Sequence, residues 1–516
     1  MSPFNTSAPL LPEILSLHGK WKGNKTALIS GKDMLSWKEL DAATNQLANA
    51  LNQKGIGRGN MVGIVMKNGR QMVEAIIGVM KSGACSVPVN LSVTDEAVTA
   101  MMTDAKVKAI ITTTDQAERL TNYVNQHPGT LHIIAGDRSE GDAFETFKRE
   151  APDHKPTTNI QDDDPLNVIY SSGTTGMPKG ILHTHRGRRD WAYDMSIALR
   201  YDGNARTLFN IGLYSNISWV GFLATLLAGG TLYVHETFDT RLTLETIQNE
   251  KITNFSMVPI QYQRLMEDPE QEKYDISSLK AVMSCGSPLH ADLKANLYQR
   301  FGPVIIELFG LTEGIITTLE PEEAEGRMSS VGKPLLGTDI RIIGDDDKEV
   351  PIGSSGEIVA NGRIVMPGYL NREDATREAT WLDENDNAWI RTGDIGQLDE
   401  EGYLYIVDRK KDMILSGGQN IYPQDIEAML ITSPDVNDVA VIGAKSSRWG
   451  ETPLAVVVKE PGAKTDEHAL KNWANERLGK QQRIAGVVYT EALPRNPNGK
   501  ILKRELRITF GGLEFD

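Results

Sequence analysis

Ten consecutive residues, Ser171-Ser172-Gly173-Thr174-Thr175-Gly176-Met177-Pro178-Lys179-Gly180, bring four hydroxyls, three glycines and one lysine into a single loop. That composition suits phosphate. Glycines let backbone N–H groups close on an anion, the hydroxyls donate to its oxygens, and Lys179 supplies a mobile cation. The loop follows the apolar run Leu166-Asn167-Val168-Ile169-Tyr170, which reads as a buried strand. A flexible Ser/Gly turn is the plainer account of such a stretch. The loop is not a Gly-x4-Gly-Lys-Ser/Thr motif, because counting from Gly173 places Pro178 before Lys179 and Gly180 after it.

Further along, strand-like Lys280-Ala281-Val282-Met283-Ser284 runs into Cys285-Gly286-Ser287-Pro288-Leu289, and a second strand, residues 304–308, ends as Glu307-Leu308-Phe309-Gly310-Leu311-Thr312-Glu313. Two strand ends with small residues, an aromatic ring and a carboxylate suit a nucleotide base held between loop backbone and ring. In Trp389-Ile390-Arg391-Thr392-Gly393-Asp394 the aspartate is an acceptor-only group, of use to paired hydroxyls, although a surface-turn aspartate has the same signature. His183 and His185 stand two apart with no Cys, His or carboxylate cluster at ligand spacing, which argues against a metal there. The loop Pro494-Arg495-Asn496-Pro497-Asn498-Gly499-Lys500 is stiff enough to aim its terminal lysine.

In this order the motifs resemble those of the adenylate-forming superfamily, which includes acyl-CoA synthetases, luciferases and peptide synthetase adenylation domains. The resemblance runs from about residue 35 to 504 and points to the acyl- or aryl-CoA ligase branch. It implies that Ser171, Ser172, Gly173, Thr174, Thr175, Gly176 and Lys179 hold the phosphates of ATP. Gly286, Ser287, Pro288, Glu307, Leu308, Phe309 and Gly310 would form the adenine site, with Phe309 where tyrosine is more usual. Thr312 would touch phosphate, Glu313 would bind Mg2+, Asp394 and Arg409 would hold the ribose, and Lys411 would occupy the pivot position. Lys500 matches the adenylation lysine, which acts with Thr175 and Glu313 in catalysis. Gly417 and Gly418 would let the pantetheine arm of coenzyme A pass, and Trp449 would pack on the CoA nucleotide. Two departures stand out. Where many relatives carry an aromatic-His pair, this chain has Tyr214-Ser215-Asn216, and the stretch before the last strand is Lys480-Gln481-Gln482-Arg483.

These residues need a scaffold. With 516 residues, 40% hydrophobic and 24% charged, the chain has the composition of a multidomain globular protein. Its formal net charge of -15 opposes nucleic acid or an anionic membrane as main partner, so anionic substrates would need compact local cation sites. Cys85 and Cys285 read as free, reduced thiols, and the first residues carry no secretion signal, so a cytoplasmic location is expected. The uncharged stretch 207–235 reads as a buried helix followed by a strand, because polar residues and Gly229-Gly230 interrupt it. Helical patterns at 37–54 and 70–81 alternate with strands at 61–66, 107–113 and 131–135, which predicts an α/β fold with mixed, largely parallel sheets. The charged run Asp408-Arg409-Lys410-Lys411-Asp412 reads as an exposed linker. It would divide a large N-terminal domain, 1–409, holding ATP and the acid, from a small mobile C-terminal α/β domain, 410–516, reading β-α-β-β-α-β and carrying Lys500 and the CoA-contacting loops.

The expected reaction is ligation of a small carboxylic acid to CoA through an acyl-adenylate, releasing AMP and pyrophosphate, by a monomer or homodimer. The glycines Gly286, Gly310 and Gly314 would leave room for an aryl or medium-length acid. Tyr214, Ser215, Asn216 and Trp219 are the other pocket candidates, although core packing explains Tyr214 and Trp219 equally well. An amide ligase passing the acyl group to an amino acid or other amine shares every ATP motif; only Trp449 and the Gly417-Gly418 loop favour CoA.

Overall fold

Continuous apolar runs and amphipathic stretches alternate along the chain, and they fold accordingly. The computed structural model describes residues 8–136, 143–171, 178–416, 419–480, 482–496 and 499–515. By internal contacts it parts into one unit of Met1–Met328, Pro334–Asp339 and Asn361–Thr380, and a second of Ser329–Lys333, Ile340–Ala360 and Trp381–Asp516.

In the first unit, strands Leu131–Ala135, Ala109–Thr113, Met61–Val65, Cys85–Pro88, Pro165–Tyr170 and Gly180–Thr184 lie side by side, parallel except for the last pair. Val62, Ile64, Leu166 and Val168 are fully buried, since helices cover both faces of such a sheet and leave no polar alternation. A second sheet sets Thr26–Ser30, Thr231–Val234, Arg206–Phe209, Asn254–Met257, Ala281–Ser284 and Ile305–Gly310 in parallel. The predicted strand at 304–308 runs on through Phe309 and Gly310, because these residues pair antiparallel with Thr317 and Ile316 in a hairpin.

The predicted helices form as Trp37–Gln53, opened by a reciprocal Ser36/Glu39 cap, and Arg70–Ser82, closed by left-handed Gly83. The uncharged stretch becomes a strand, helix Asn216–Ala228 and another strand. The helix starts at Ser215, whose hydroxyl accepts from the Ile217 N–H at 3.4 Å, and stops at Gly229, φ 72°. No helix among the described residues is long and apolar enough to cross a membrane.

In the second unit, Thr338–Ile343, Gly356–Gly362, Ala388–Leu398, Thr380–Leu382 and Leu404–Arg409 form one sheet. The predicted β-α-β-β-α-β order then appears as Ile414–Ser416, Pro423–Leu430, Val436–Ser446, Gly450–Lys459, Glu467–Asn475 and Gly486–Tyr489, around a core including Ile414, Ile426, Val441 and Val457. A short strand, Gln419–Ile421, and a last helix, Lys503–Phe510, add to it. Gly417 and Gly418 lie outside the described residues; their flanks Ser416 and Gln419 are antiparallel partners, and the helix opens only at Pro423.

The charged run at 408–412 is not the fully exposed linker its sequence suggests: Asp408 and Asp412 are 5% and 9% exposed. Asp408 accepts the Gln424 N–H at 2.9 Å, and Asp412 meets Arg507 at 2.9 Å, so partners from later in the chain offset their desolvation. Both cysteines are buried and unpaired, and burial pushes the Cys285 thiol up to about 12.

Candidate active site

In the first unit the chain leaves strand Pro165–Tyr170, and Ser171 N–H donates to the Lys179 carbonyl at 3.0 Å, closing the neck of the hydroxyl-rich loop. Ser172, Gly173, Thr174, Thr175 and Gly176, all predicted phosphate ligands, lie outside the described residues. At the neck, Lys179 Nζ stands 4.9 Å from the centre of the Tyr369 ring, and the Tyr369 hydroxyl donates to Glu313 Oε1 at 2.9 Å. Backbone bonds lock this triad: Met366 N–H to the Glu313 carbonyl and Leu370 N–H to the Gly180 carbonyl, both 2.8 Å. Tyr369 thus links the predicted phosphate lysine to the predicted metal ligand, and burial followed by the Glu313 charge raises its pKa, keeping it a donor. The motif search missed it, although its Pro367-Gly368-Tyr369 turn is visible in the sequence.

Strands Ala281–Ser284 and Ile305–Gly310 are parallel neighbours, so the segments that follow them emerge together at the carboxyl end of the sheet, where ligands bind in open α/β folds. Gly286, φ 91°, and Pro288 are exposed, while Ser287, Phe309 and Thr312 are half-buried and available. Leu308 is core, and the Glu307 carboxylate is committed to an ion pair with buried Lys294 and to the Leu289 N–H, so these two have only backbone to offer a nucleotide. The space expected at Gly310 and Gly314 is already used. A Cβ on Gly310 would lie 2.5 Å from the Ile315 carbonyl oxygen, and one on Gly314 2.2 Å from that of Ile364.

Of the acid-pocket candidates, Tyr214 is half-buried and Ser215 serves as the helix cap. Trp219 is fully buried, its Nε1 donating to the Leu213 carbonyl at 2.8 Å, which is core packing with one ring face toward Arg188. Asn216 and Gly314 line a narrow recess together with His183, Arg188, Trp191 and Thr312. His183 and His185 are both buried and held neutral by desolvation, His185 down to about 4, and no cluster of three metal-ligating side chains occurs among the described residues.

The second unit assembles four predicted residues. Asp394 is 2% exposed, its Oδ1 2.7 Å from Arg409 Nε, while its Oδ2 is buried without a partner among the described residues. The turn that presents it is fixed by Thr392, whose hydroxyl donates to the Ile358 carbonyl at 2.8 Å and accepts the Asp394 N–H at 3.0 Å. Lys411 and Lys500 lie within electrostatic reach of this carboxylate. Desolvation and then Arg409 pull the Lys500 ammonium down to about 8, against the opposing pull of Asp394. The Lys500 backbone N–H donates to Asn496 Oδ1 at 2.9 Å, which ties the lysine's backbone to the residue four before it. The cluster thus sets three cations around a buried carboxylate that keeps one oxygen without a partner among the described residues. Trp449 is 46% exposed in the turn between two long strands, with the Arg448 guanidinium 4.6 Å from its ring centre.

Strand ends emerging together from a parallel sheet in the first unit, and in the second a cation cluster around a carboxylate oxygen without a partner among the described residues, fit a nucleotide-dependent α/β enzyme. Residues 18–370 match the model of the AMP-binding enzyme family, and 425–500 that of the AMP-binding enzyme C-terminal domain. The chain belongs to the AMP-binding enzyme family. It is 33% identical over 491 residues to a feruloyl-CoA synthase of Amycolatopsis sp, covering 94% of this chain and 96% of the relative. It is 32% identical over 499 residues to a 2-succinylbenzoate–CoA ligase of Bacillus cereus, covering 94% and 95%. The crystal structure of ATP-bound MatB from Rhodopseudomonas palustris superposes with a TM-score of 0.90 at 26% identity, over 98% of this chain and 99% of that one.

Proposed function

We propose that this enzyme joins a small carboxylic acid to coenzyme A at the expense of ATP. The acid's carboxylate attacks the α-phosphorus, displacing pyrophosphate and giving an acyl-adenylate; the CoA thiol then attacks the carbonyl carbon, forming the thioester and releasing AMP. The observation that carries this reading is the Asp394 cluster, where a buried carboxylate keeps one oxygen open and a partly desolvated Lys500 stands beside it. Asp394 Oδ2 accepts the ribose hydroxyls, and Lys500 neutralises charge gathering between the substrate carboxylate and the α-phosphate. The neck of the 171–180 loop and Lys179 hold the departing pyrophosphate. Glu313, with one oxygen fixed by Tyr369, fits Mg2+, a hard cation that takes one carboxylate alongside phosphate oxygens and, when bound, screens their charge. No side chain becomes acylated, since positioning and charge suffice.

The part from 410 onward acts as the small mobile domain, pivoting at Lys411 between the half-reactions, with Trp449 and Gly417-Gly418 receiving CoA. The enzyme works in the cytoplasm as a monomer or homodimer. Acid-dependent exchange of labelled pyrophosphate into ATP, followed by separate addition of CoA or amino acids, tests the reading. Thioester formation with CoA supports it, acylated amines would establish an amide ligase, and acid-dependent ADP release would overturn adenylation altogether.

A further inference from the structure

Asp104 carries its charge at a costly place. It is the last residue of helix Asp95–Asp104, where the helix dipole favours a cation and opposes a carboxylate. Its side chain is only 12% exposed, and groups from two other segments of the first unit converge on it. The Tyr170 hydroxyl donates to its Oδ2 at 2.8 Å, Arg372 stands 2.8 Å from its Oδ1, and Asn371 Nδ2 donates to its backbone carbonyl at 2.8 Å. Asn371 does so from left-handed backbone, φ 53°, which asparagine tolerates better than most residues. These partners, rather than the helix, offset the cost of a carboxylate at this position.

The same partners flank the candidate phosphate and magnesium ligands. Tyr170 ends the strand that leads to Ser171, and a Cβ on Gly180 would lie 3.1 Å from its ring, so the ring lies close against the neck of the loop. Asn371 and Arg372 follow closely on Tyr369, whose ring stands beside Lys179 and whose hydroxyl donates to Glu313. The segment 368–370 is held to strand Gly180–Thr184 by a short antiparallel pairing, Leu370 N–H to the Gly180 carbonyl at 2.8 Å and Leu182 N–H to the Gly368 carbonyl at 3.3 Å. A pairing this short is marginal alone. Asp104 braces it, tying its far end, through Arg372 and Asn371, to the end of the strand before the loop, through Tyr170.

We propose that Asp104 is a positioning residue for the polyphosphate half of the nucleotide site: by joining Tyr170 to Asn371 and Arg372 it holds Tyr369, and through Tyr369 the spacing of Lys179 and Glu313 that suits a magnesium-bound triphosphate. The inference rests on the ligase reading and deepens it. Asp104 acts through these neighbours and not on the nucleotide. Without its carboxylate, Arg372 loses its ion-pair partner and the Tyr170 hydroxyl an acceptor, so Tyr369 gains freedom, and the cation and carboxylate that it spaces no longer present one arrangement.

Titration calorimetry with Mg-ATP and with AMP, which lacks the β- and γ-phosphates, tests this. Asp104→Ala is expected to raise the Kd for Mg-ATP about tenfold, the lower end of the cost of removing a group that orients a metal ligand, and to leave the Kd for AMP unchanged. Arg372→Met, at a residue whose side chain is 38% exposed, should give the same pattern, and Asp104→Asn, which keeps an acceptor without the charge, a smaller shift. In a Tyr369→Phe background Asp104→Ala should add less than it does alone, because the bond it supports has gone. Should Asp104→Ala fail to fold, Arg372→Met and Asp104→Asn decide the matter. An unmoved Kd for Mg-ATP, equal weakening of both nucleotides, or full additivity with Tyr369→Phe would overturn this inference and leave the ligase reading standing. Absence of Mg-ATP binding by the wild-type protein would overturn the ligase reading and this inference with it.

Discussion

Lys500 gives the adenylation step a pH dependence that can be worked out in advance. Its ammonium is half-buried, and the loss of water together with Arg409 and Lys411 brings its pKa to about 8, with Asp394 and Asp412 pulling the other way. A group with that pKa is about nine-tenths protonated at pH 7 and about one-tenth at pH 9. If the charged form is the one that acts, kcat/KM for adenylation, which reports the free enzyme, falls about tenfold between pH 7 and pH 9. The direction follows from the group being a cation acid: raising pH through the depressed pKa removes the charge that the transition state needs. Pyrophosphate exchange is the right assay, because no CoA is present and no thiol titration intrudes. Lys500→Ala should lower exchange about 10^2- to 10^3-fold at pH 7, the usual cost of removing one preorganised charge, and should flatten the remaining profile. Lys500→Arg keeps its charge throughout, so whatever activity it retains should show no alkaline fall. Given pre-formed acyl-adenylate and CoA, Lys500→Ala should form thioester at close to the wild-type rate. A wild-type profile flat to pH 9, or the same alkaline fall in Lys500→Arg, would refute the assignment.

Asp394→Asn should abolish discrimination between ATP and 2′-deoxy-ATP in exchange, since an amide replaces the open acceptor; unchanged discrimination would place the ribose elsewhere. Tyr369→Phe removes a hydroxyl bonded to a carboxylate, worth about 1.5 to 3 kcal/mol, so the Mg2+ concentration for half-maximal exchange should rise about tenfold or more; an unchanged Mg2+ requirement would show that Tyr369 does not position Glu313. Trp449→Ala should raise the KM for CoA and leave exchange untouched, because a lost stacking face removes binding without touching the first step. The Lys411 N–H carries no hydrogen bond among the described residues, so Lys411→Pro should preserve the arrangement seen here and support exchange while blocking thioester formation; equal loss of both activities would show misfolding rather than a fixed pivot.

What could be read from the sequence was whatever is encoded locally. Strands such as Met61–Val65 and Ala109–Thr113 are continuous apolar runs, and helix Trp37–Gln53 carries its own capping box, so period and caps place them without tertiary knowledge. Where distant partners decide, local reading fails. Phe309 and Gly310 continue a strand because Ile316–Leu319 folds back on them, and Asp412 is buried because Arg507 reaches it from the last helix. The run Arg186-Gly187-Arg188-Arg189 has the composition of a solvated helix face; Arg186 is indeed exposed, but Arg188 turns inward toward Asn167 on a neighbouring strand. The candidate site followed the same rule. Motif residues Asp394, Arg409, Lys411 and Lys500 were identifiable one by one, whereas Tyr369 acquires its role only when the 366–370 segment bonds to Glu313 and Gly180.

The charges around Lys500 also bear on the order of the two half-reactions. Desolvation, Arg409 and Lys411 oppose its protonated form while Asp394 and Asp412 support it, so the arrangement is least comfortable when no further anion is present. Phosphate groups of the nucleotide relieve that opposition, and the departure of pyrophosphate with its negative charge restores part of it. On the proposed ligase reading, charge alone would favour Lys500 beside Asp394 while the triphosphate is bound and weaken its hold once the adenylate has formed, which is when the CoA thiol would need access to the carbonyl carbon. In Lys411→Pro the Lys411 charge is lost and only the desolvation and Arg409 parts of that opposition remain, but rotation at the pivot is blocked, so adenylate should accumulate instead of passing to the thioester.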